Sequence, residues 1–185
     1  MTEIENGIET DRLLLRPWRE EDAERLLDIH SRPEIVQWLS DDFDAPHLMA
    51  DLDEARSKIP VYAAVFDNPP QGFWAIDRRD GGPPAGAVIL KTLPNAEHDE
   101  VEIGWWLHPD GQGQGYATEA ARAVLEHGFA GGLPEIWALM FPDNHPSKAV
   151  MQRLGMVDQG LVERWYPGKS RVFKLTREEW AQGRP

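Results

Sequence analysis

Three alternating glycines in the stretch Asp110-Gly111-Gln112-Gly113-Gln114-Gly115-Tyr116-Ala117-Thr118-Glu119-Ala120 run directly into an alanine-rich segment with helical spacing. A strand-like run, Val101 to Leu107, precedes them. Strand, glycine loop and helix together let successive backbone N–H groups converge, and the positive end of the helix dipole adds to them. The guest this suits is an anion, and a phosphate above all. Two familiar phosphate loops do not match. A dinucleotide fingerprint needs glycine at the sixth position, where Tyr116 or Thr118 stands, and a P-loop needs a lysine that is absent from the loop. A second cluster, Glu97-His98-Asp99-Glu100, has the residue types of a metal site. Adjacent ligands on an extended turn point apart, however, and none of the six histidines has metal-binding spacing, so no metal is expected.

The elements that would position the loop can be read along the chain. Ile8 to Pro17 is a first strand, residues 19–30 a first helix, and Pro33 starts a short helical piece toward Trp38. Ala45 to Lys58, with Leu48, Leu52 and Ala55, suggests an amphipathic helix. Val61 to Phe66, Gly72 to Ile76, Gly86 to Leu90 and Val101 to Leu107 have strand character. Ala117, Ala120, Ala121, Val124, Leu125 and Phe129 form one apolar stripe after the loop, and Gly131-Gly132 stops that helix. Ile136 to Phe141 is a buried strand and Ser147 to Leu154 a helix ending at Gly155. Leu161 to Trp165 and Arg171 to Leu175 predict a closing hairpin around Pro167-Gly168, and Thr176 caps a last short helix.

The chain has 185 residues, suited to one domain, residues 1–185, with a sizeable core. It has no cysteine, which excludes disulfides and thiolate metal sites. No apolar run reaches membrane-spanning length and the amino terminus lacks a hydrophobic signal core, so a cytoplasmic protein without membrane partners is expected. A formal net charge of −13 repels nucleic-acid phosphates and favours cationic partners.

Gln112-x-x-Gly115-x-Ala117 resembles the acyl-coenzyme A pyrophosphate loop, Gln/Arg-x-x-Gly-x-Gly/Ala, of the GNAT superfamily of N-acetyltransferases. The segment from Asn144 through Ser147 to Leu154-Gly155-Met156 is similar to that superfamily's second signature block. Thr10-Asp11-Arg12-Leu13-Leu14-Leu15-Arg16-Pro17 resembles the opening strand of the branch that acetylates the amino termini of ribosomal and other proteins. The resemblance implies an α/β (α+β) GNAT fold: a mixed, mostly antiparallel sheet, splayed where acetyl-CoA enters, with helices on both faces. It also implies direct acetyl transfer to a primary amine within a ternary complex. The acceptor would be a protein or peptide amino terminus, with a polyamine or aminoglycoside as the alternative, and a non-catalytic acyl-CoA binding module as a third reading. A homodimer is left open.

Site residues follow from the same resemblance. Gln112, Gly113, Gln114, Gly115, Tyr116, Ala117 and Thr118 would cradle the pyrophosphate, and backbone N–H groups of Trp106-Leu107-His108 would receive the thioester oxyanion. The attacking amine must lose a proton, since an alkylammonium has no lone pair. Alternation puts Glu102 on one strand face with Trp106, making it the candidate base through a water; its alternative is a strand glutamate in a salt bridge. Many family members protonate the departing thiolate with a tyrosine at a position occupied here by Met151, which leaves Ser147 as the candidate acid. Asn144 would hold the pantetheine arm, or simply cap its helix. Trp38 and Trp165 would border the acceptor, and Tyr166 is either a further acid at that rim or a packing residue.

Overall fold

The computed structural model of the protein describes residues 6–39 and 46–183. Eight strands form one sheet. β1 (Ile8–Glu9), β2 (Leu13–Pro17), β3 (Gly72–Arg78), β4 (Gly86–Thr92), β5 (Val101–Leu107), β6 (Glu135–Met140), β7 (Val157–Val162) and β8 (Ser170–Thr176) lie in the order β1-β2-β3-β4-β5-β6-β8-β7. All neighbours are antiparallel except β5 and β6, which run parallel. The helices are α1 (Ala23–His30), α2 (Pro33–Val36), α3 (Leu52–Ala63), α4 (Tyr116–Ala130), α5 (His145–Arg153) and α6 (Arg177–Ala181). No described helix is long and apolar enough to cross a membrane.

Side-chain alternation in the strands builds two cores. On one face Leu13, Leu15, Trp74, Ile76, Val88, Leu90, Val101 and Ile103 meet the alanine-rich stripe of α4. Small side chains at Ala117, Ala120 and Ala121 let that helix approach the sheet closely. On the other face Phe73, Ala75, Ala87 and Ile89 pack under Leu26 and Ile29 of α1 and Ala55 of α3. Both clusters exclude water, the dominant favourable contribution to the fold.

Ile8 to Pro17 is not one strand but two, β1 and β2, paired antiparallel across a turn, and two further segments differ from the sequence reading. Val61 to Phe66 is not a strand: α3 runs through Ala63 and a 3-10 turn continues to Asp67. Ala55, Ile59, Tyr62 and Val65 face the core at a helical spacing, while Val61 is 59% exposed, so the apolar run follows a period near 3.6 and not 2. The helix begins at Leu52, where the Asp51 side chain accepts from the Glu54 N–H; Ala45, where it was expected to start, lies outside the described residues. The second difference is at the closing hairpin. β7 ends at Val162, so Trp165 lies in the connection to β8 and not in a strand.

Candidate active site

β5 and β6 are in register at a single pair, Glu102 with Trp137, and then diverge. Between them opens a cleft of about 1840 Å³. Its walls are Ile103, Gly104, Trp105, Trp106 and Leu107 from β5, and Leu139, Met140 and Phe141 from β6 and beyond. A single drug-sized ligand occupies roughly 300–1,000 Å³, so the space accommodates two substrates side by side.

At one end the cleft meets the amino terminus of α4. Gly113 and Gly115 adopt positive φ, 74° and 81°, which a side chain would strain. Glu119 N–H is the first to bond back, to the Gly115 carbonyl, and among the described residues no backbone acceptor meets the N–H groups of Gly113 through Thr118. A Cβ at Gly113 would meet nothing within 4 Å. Arg122 and Arg153 line the same end. These donors and charges fit a pyrophosphate. Of the loop residues, Gln112, Gly113, Gly115, Ala117 and Thr118 line the cleft, whereas the Gln114 carbonyl and the Tyr116 ring are turned to Arg12.

The strand that feeds the loop corrects one expectation. His108 donates its N–H to the Ala85 carbonyl at 2.9 Å, so that group is taken by β4. N–H groups alternate sides along a strand, which turns Trp106 toward β4 as well and leaves Trp105 and Leu107 facing the gap. The Leu107 carbonyl confirms this parity by accepting from Gln112 Nε2 at 3.2 Å. The His108 ring does not line the cleft either. It is 8% exposed, with Nε2 3.0 Å from Asp28 and Nδ1 3.0 Å from Asp110. His108 therefore packs between Asp28 and Asp110 and does not line the cleft.

Glu102 lies at the inner end of the cleft, 6% exposed. Its Oε1 accepts from the Tyr166 hydroxyl and lies 3.4 Å from Lys91 Nζ. These contacts are the ones that the salt-bridge reading of this glutamate expected. Tyr166 and Lys91 both line the cleft, with the ammonium 5.9 Å from the phenol ring centroid. Lys91 was not legible as a site residue, because only the β4–β5 pairing puts it opposite Glu102. The adjacent Trp165 is turned the other way: 3% exposed, it packs on Trp137 at 5.2 Å with Leu93 and Val172 and does not line the cleft.

Opposite Glu102, α5 contributes Asn144 and Ser147, both in the cleft wall. Asn144 Oδ1 accepts from the Ser147 N–H at 3.2 Å, so the asparagine caps the helix whose first turn carries the serine. The outer part of the cleft is formed by His30, Glu34, Trp38, His47, Glu54, Lys58 and Tyr62. Trp38 is held edge-on to Phe141, 5.9 Å between centroids. Burial, with the Lys58 charge adding to it, pushes the His30 imidazole down to about 4. No group of three or more metal-ligating side chains is found among the described residues.

Comparison with known proteins agrees with this geometry. YoaA of Bacillus subtilis (strain 168), an uncharacterized N-acetyltransferase, is 29% identical over 159 residues, 85% of this chain and 86% of that one. Two solved structures share the fold. The ribosomal-protein-S5-alanine acetyltransferase of Vibrio fischeri superposes with a TM-score of 0.74 at 16% identity, covering 94% of this chain and 98% of that one. Mycobacterium smegmatis RimJ, solved with CoA-disulfide, gives 0.73 at 23% identity, covering 93% and 90%. Residues 12–157 match the family described as the Acetyltransferase (GNAT) domain, and the chain belongs to that family of acetyl-CoA-dependent N-acetyltransferases.

Proposed function

We propose that the protein transfers the acetyl group of acetyl-CoA to the primary amine at a protein or peptide amino terminus. The observation that carries this reading is the cleft itself. It runs from the α4 amino-terminal amides, past the Leu107 N–H that faces the gap, to a carboxylate held by Tyr166 and Lys91, and opens outward between α1, α2 and α3. A pyrophosphate on the α4 amides would place the thioester between β5 and β6. The Leu107 N–H, with Trp105 beside it, would donate to the oxygen as it gains charge.

Glu102 would accept the amine proton through a water, leaving the nitrogen lone pair to form the C–N bond. When the C–S bond breaks, the nitrogen sheds its second proton and the thiolate gains one, a transfer that the Ser147 hydroxyl in the cleft wall could relay. A thiol of ordinary pKa near 8.5 needs only a modest donor. The acceptor class rests on the resemblance of the opening strand and on the name of the Vibrio fischeri neighbour. The test is acetyl-CoA consumption with amino-terminal peptides, polyamines and aminoglycosides as competing acceptors. Turnover highest on peptides, lost when their α-amine is blocked, is the expected result. Turnover confined to a polyamine or an aminoglycoside would replace the acceptor while keeping the chemistry.

A further inference from the structure

One side chain in the phosphate end of the cleft has the wrong charge for its place. Glu119 sits in the first turn of α4, 19% exposed, beside amides suited to a polyanion. A carboxylate there is favourable to the helix dipole and unfavourable to a phosphate. It is fully engaged from the β1–β2 turn. Thr10 Oγ1 donates to Oε1 at 2.6 Å, Arg12 N to Oε1 at 3.0 Å and Arg12 Nε to Oε2 at 2.7 Å, with Arg12 Nη2 2.5 Å from Oε2. Burial alone would raise this carboxyl, but the Thr10 and Arg12 hydrogen bonds outweigh it and hold it below the usual range, so Glu119 is ionised.

Arg12 also grips the loop. Its Nη1 donates to the Gln114 carbonyl at 3.0 Å, and its guanidinium lies 5.0 Å from the Tyr116 ring centroid. In a trans peptide the carbonyl and the next N–H point oppositely. Arg12, which itself lines the cleft, therefore fixes this peptide with the Gly115 N–H turned away from the guanidinium.

We propose that Arg12 is a positioning residue for the acetyl donor: it cancels the Glu119 charge beside the phosphate cradle and fixes the orientation of the Gln114–Gly115 peptide in the loop. This rests on reading the α4 amides as the pyrophosphate site. A sequence reading sees only an opening strand here, because the partners are more than a hundred residues apart along the chain.

Calorimetric titration with coenzyme A separates the possibilities. The wild-type protein binds it, and absence of binding would overturn the pyrophosphate reading itself. Arg12→Ala weakens affinity about tenfold at low salt, and the difference narrows as salt screens the exposed charge. Removing the uncompensated carboxylate as well, in Arg12→Ala/Glu119→Gln, restores most of the loss. Glu119→Gln alone binds at least as tightly as wild type, which keeps the proposal testable even if Arg12→Ala fails to fold. Unchanged affinity in Arg12→Ala, a double variant as weak as the single, or a tenfold loss in Glu119→Gln overturns the role of Arg12.

Discussion

Glu102 shows what a single position can and cannot reveal. Strand alternation is enough to put it on the face shared with Trp106, but its partners Lys91 and Tyr166 come from β4 and from the connection into β8. Tyr166 was read only as a rim acid or a packing residue, and nothing local marks Lys91. The same limit explains His108: whether a strand N–H is free depends on the parity of pairing with β4, which residue types do not encode. As the proposed base, Glu102→Gln is expected to lower turnover about a hundredfold near neutral pH, with the deficit shrinking as the amine deprotonates unaided at high pH. Parallel pH–rate profiles for variant and wild type would remove it from that role. His30 gives a pH effect on stability. Its folded pKa of about 4 lies below the ordinary value of 6.5, so the unfolded chain takes up the proton first. Stability present above pH 6.5 is therefore lost as pH falls toward 4, by on the order of 3 kcal/mol. Denaturant titrations across that range should show the slope in wild type and a flatter one in His30→Gln.

At the scale of elements, those with strong local signals were legible. The small-residue stripe and Gly131 define α4, and Thr176 with Glu179 forms the capping box that starts α6. α3 was misread because Val61 to Phe66 is rich in strand formers, while the Asp51 cap and tertiary contacts with Phe73 favour a helix. β7 was placed too late in the reading, at Leu161 to Trp165, because Asp158, Gln159 and a bulge at Asp158/Gly160 make its start polar and irregular, as befits a sheet edge. Asn144 contributes at this scale through the α5 cap. Asn144→Ala is expected to cost about 1 kcal/mol, visible as a lower denaturation midpoint with an unchanged slope. No change in midpoint would mean that the Asn144–Ser147 bond does not stabilise α5.

For the whole molecule, the two cores share one sheet, and a buried ion cluster joins its first strands to the helical layer. Arg16 on β2 is 4% exposed and donates to Asp22 at 2.6 and 2.9 Å and to Asp77 on β3 at 3.1 Å. Removing a partner leaves buried charge uncompensated, so Asp22→Ala should destabilise the protein by about 3 kcal/mol in urea. A loss under about 0.5 kcal/mol would show that Asp77 suffices alone. The fold class was legible because three signature segments occur in order. The extent of the gap was not, because it depends on how far β6 follows β5.

That pairing at Glu102 and Trp137 has a mechanical consequence. The half-sheets β1–β5 and β6–β8 meet there like two boards on a common fulcrum. Any change in the angle between them would widen or narrow the gap beyond that pair while leaving Glu102 beside the pivot.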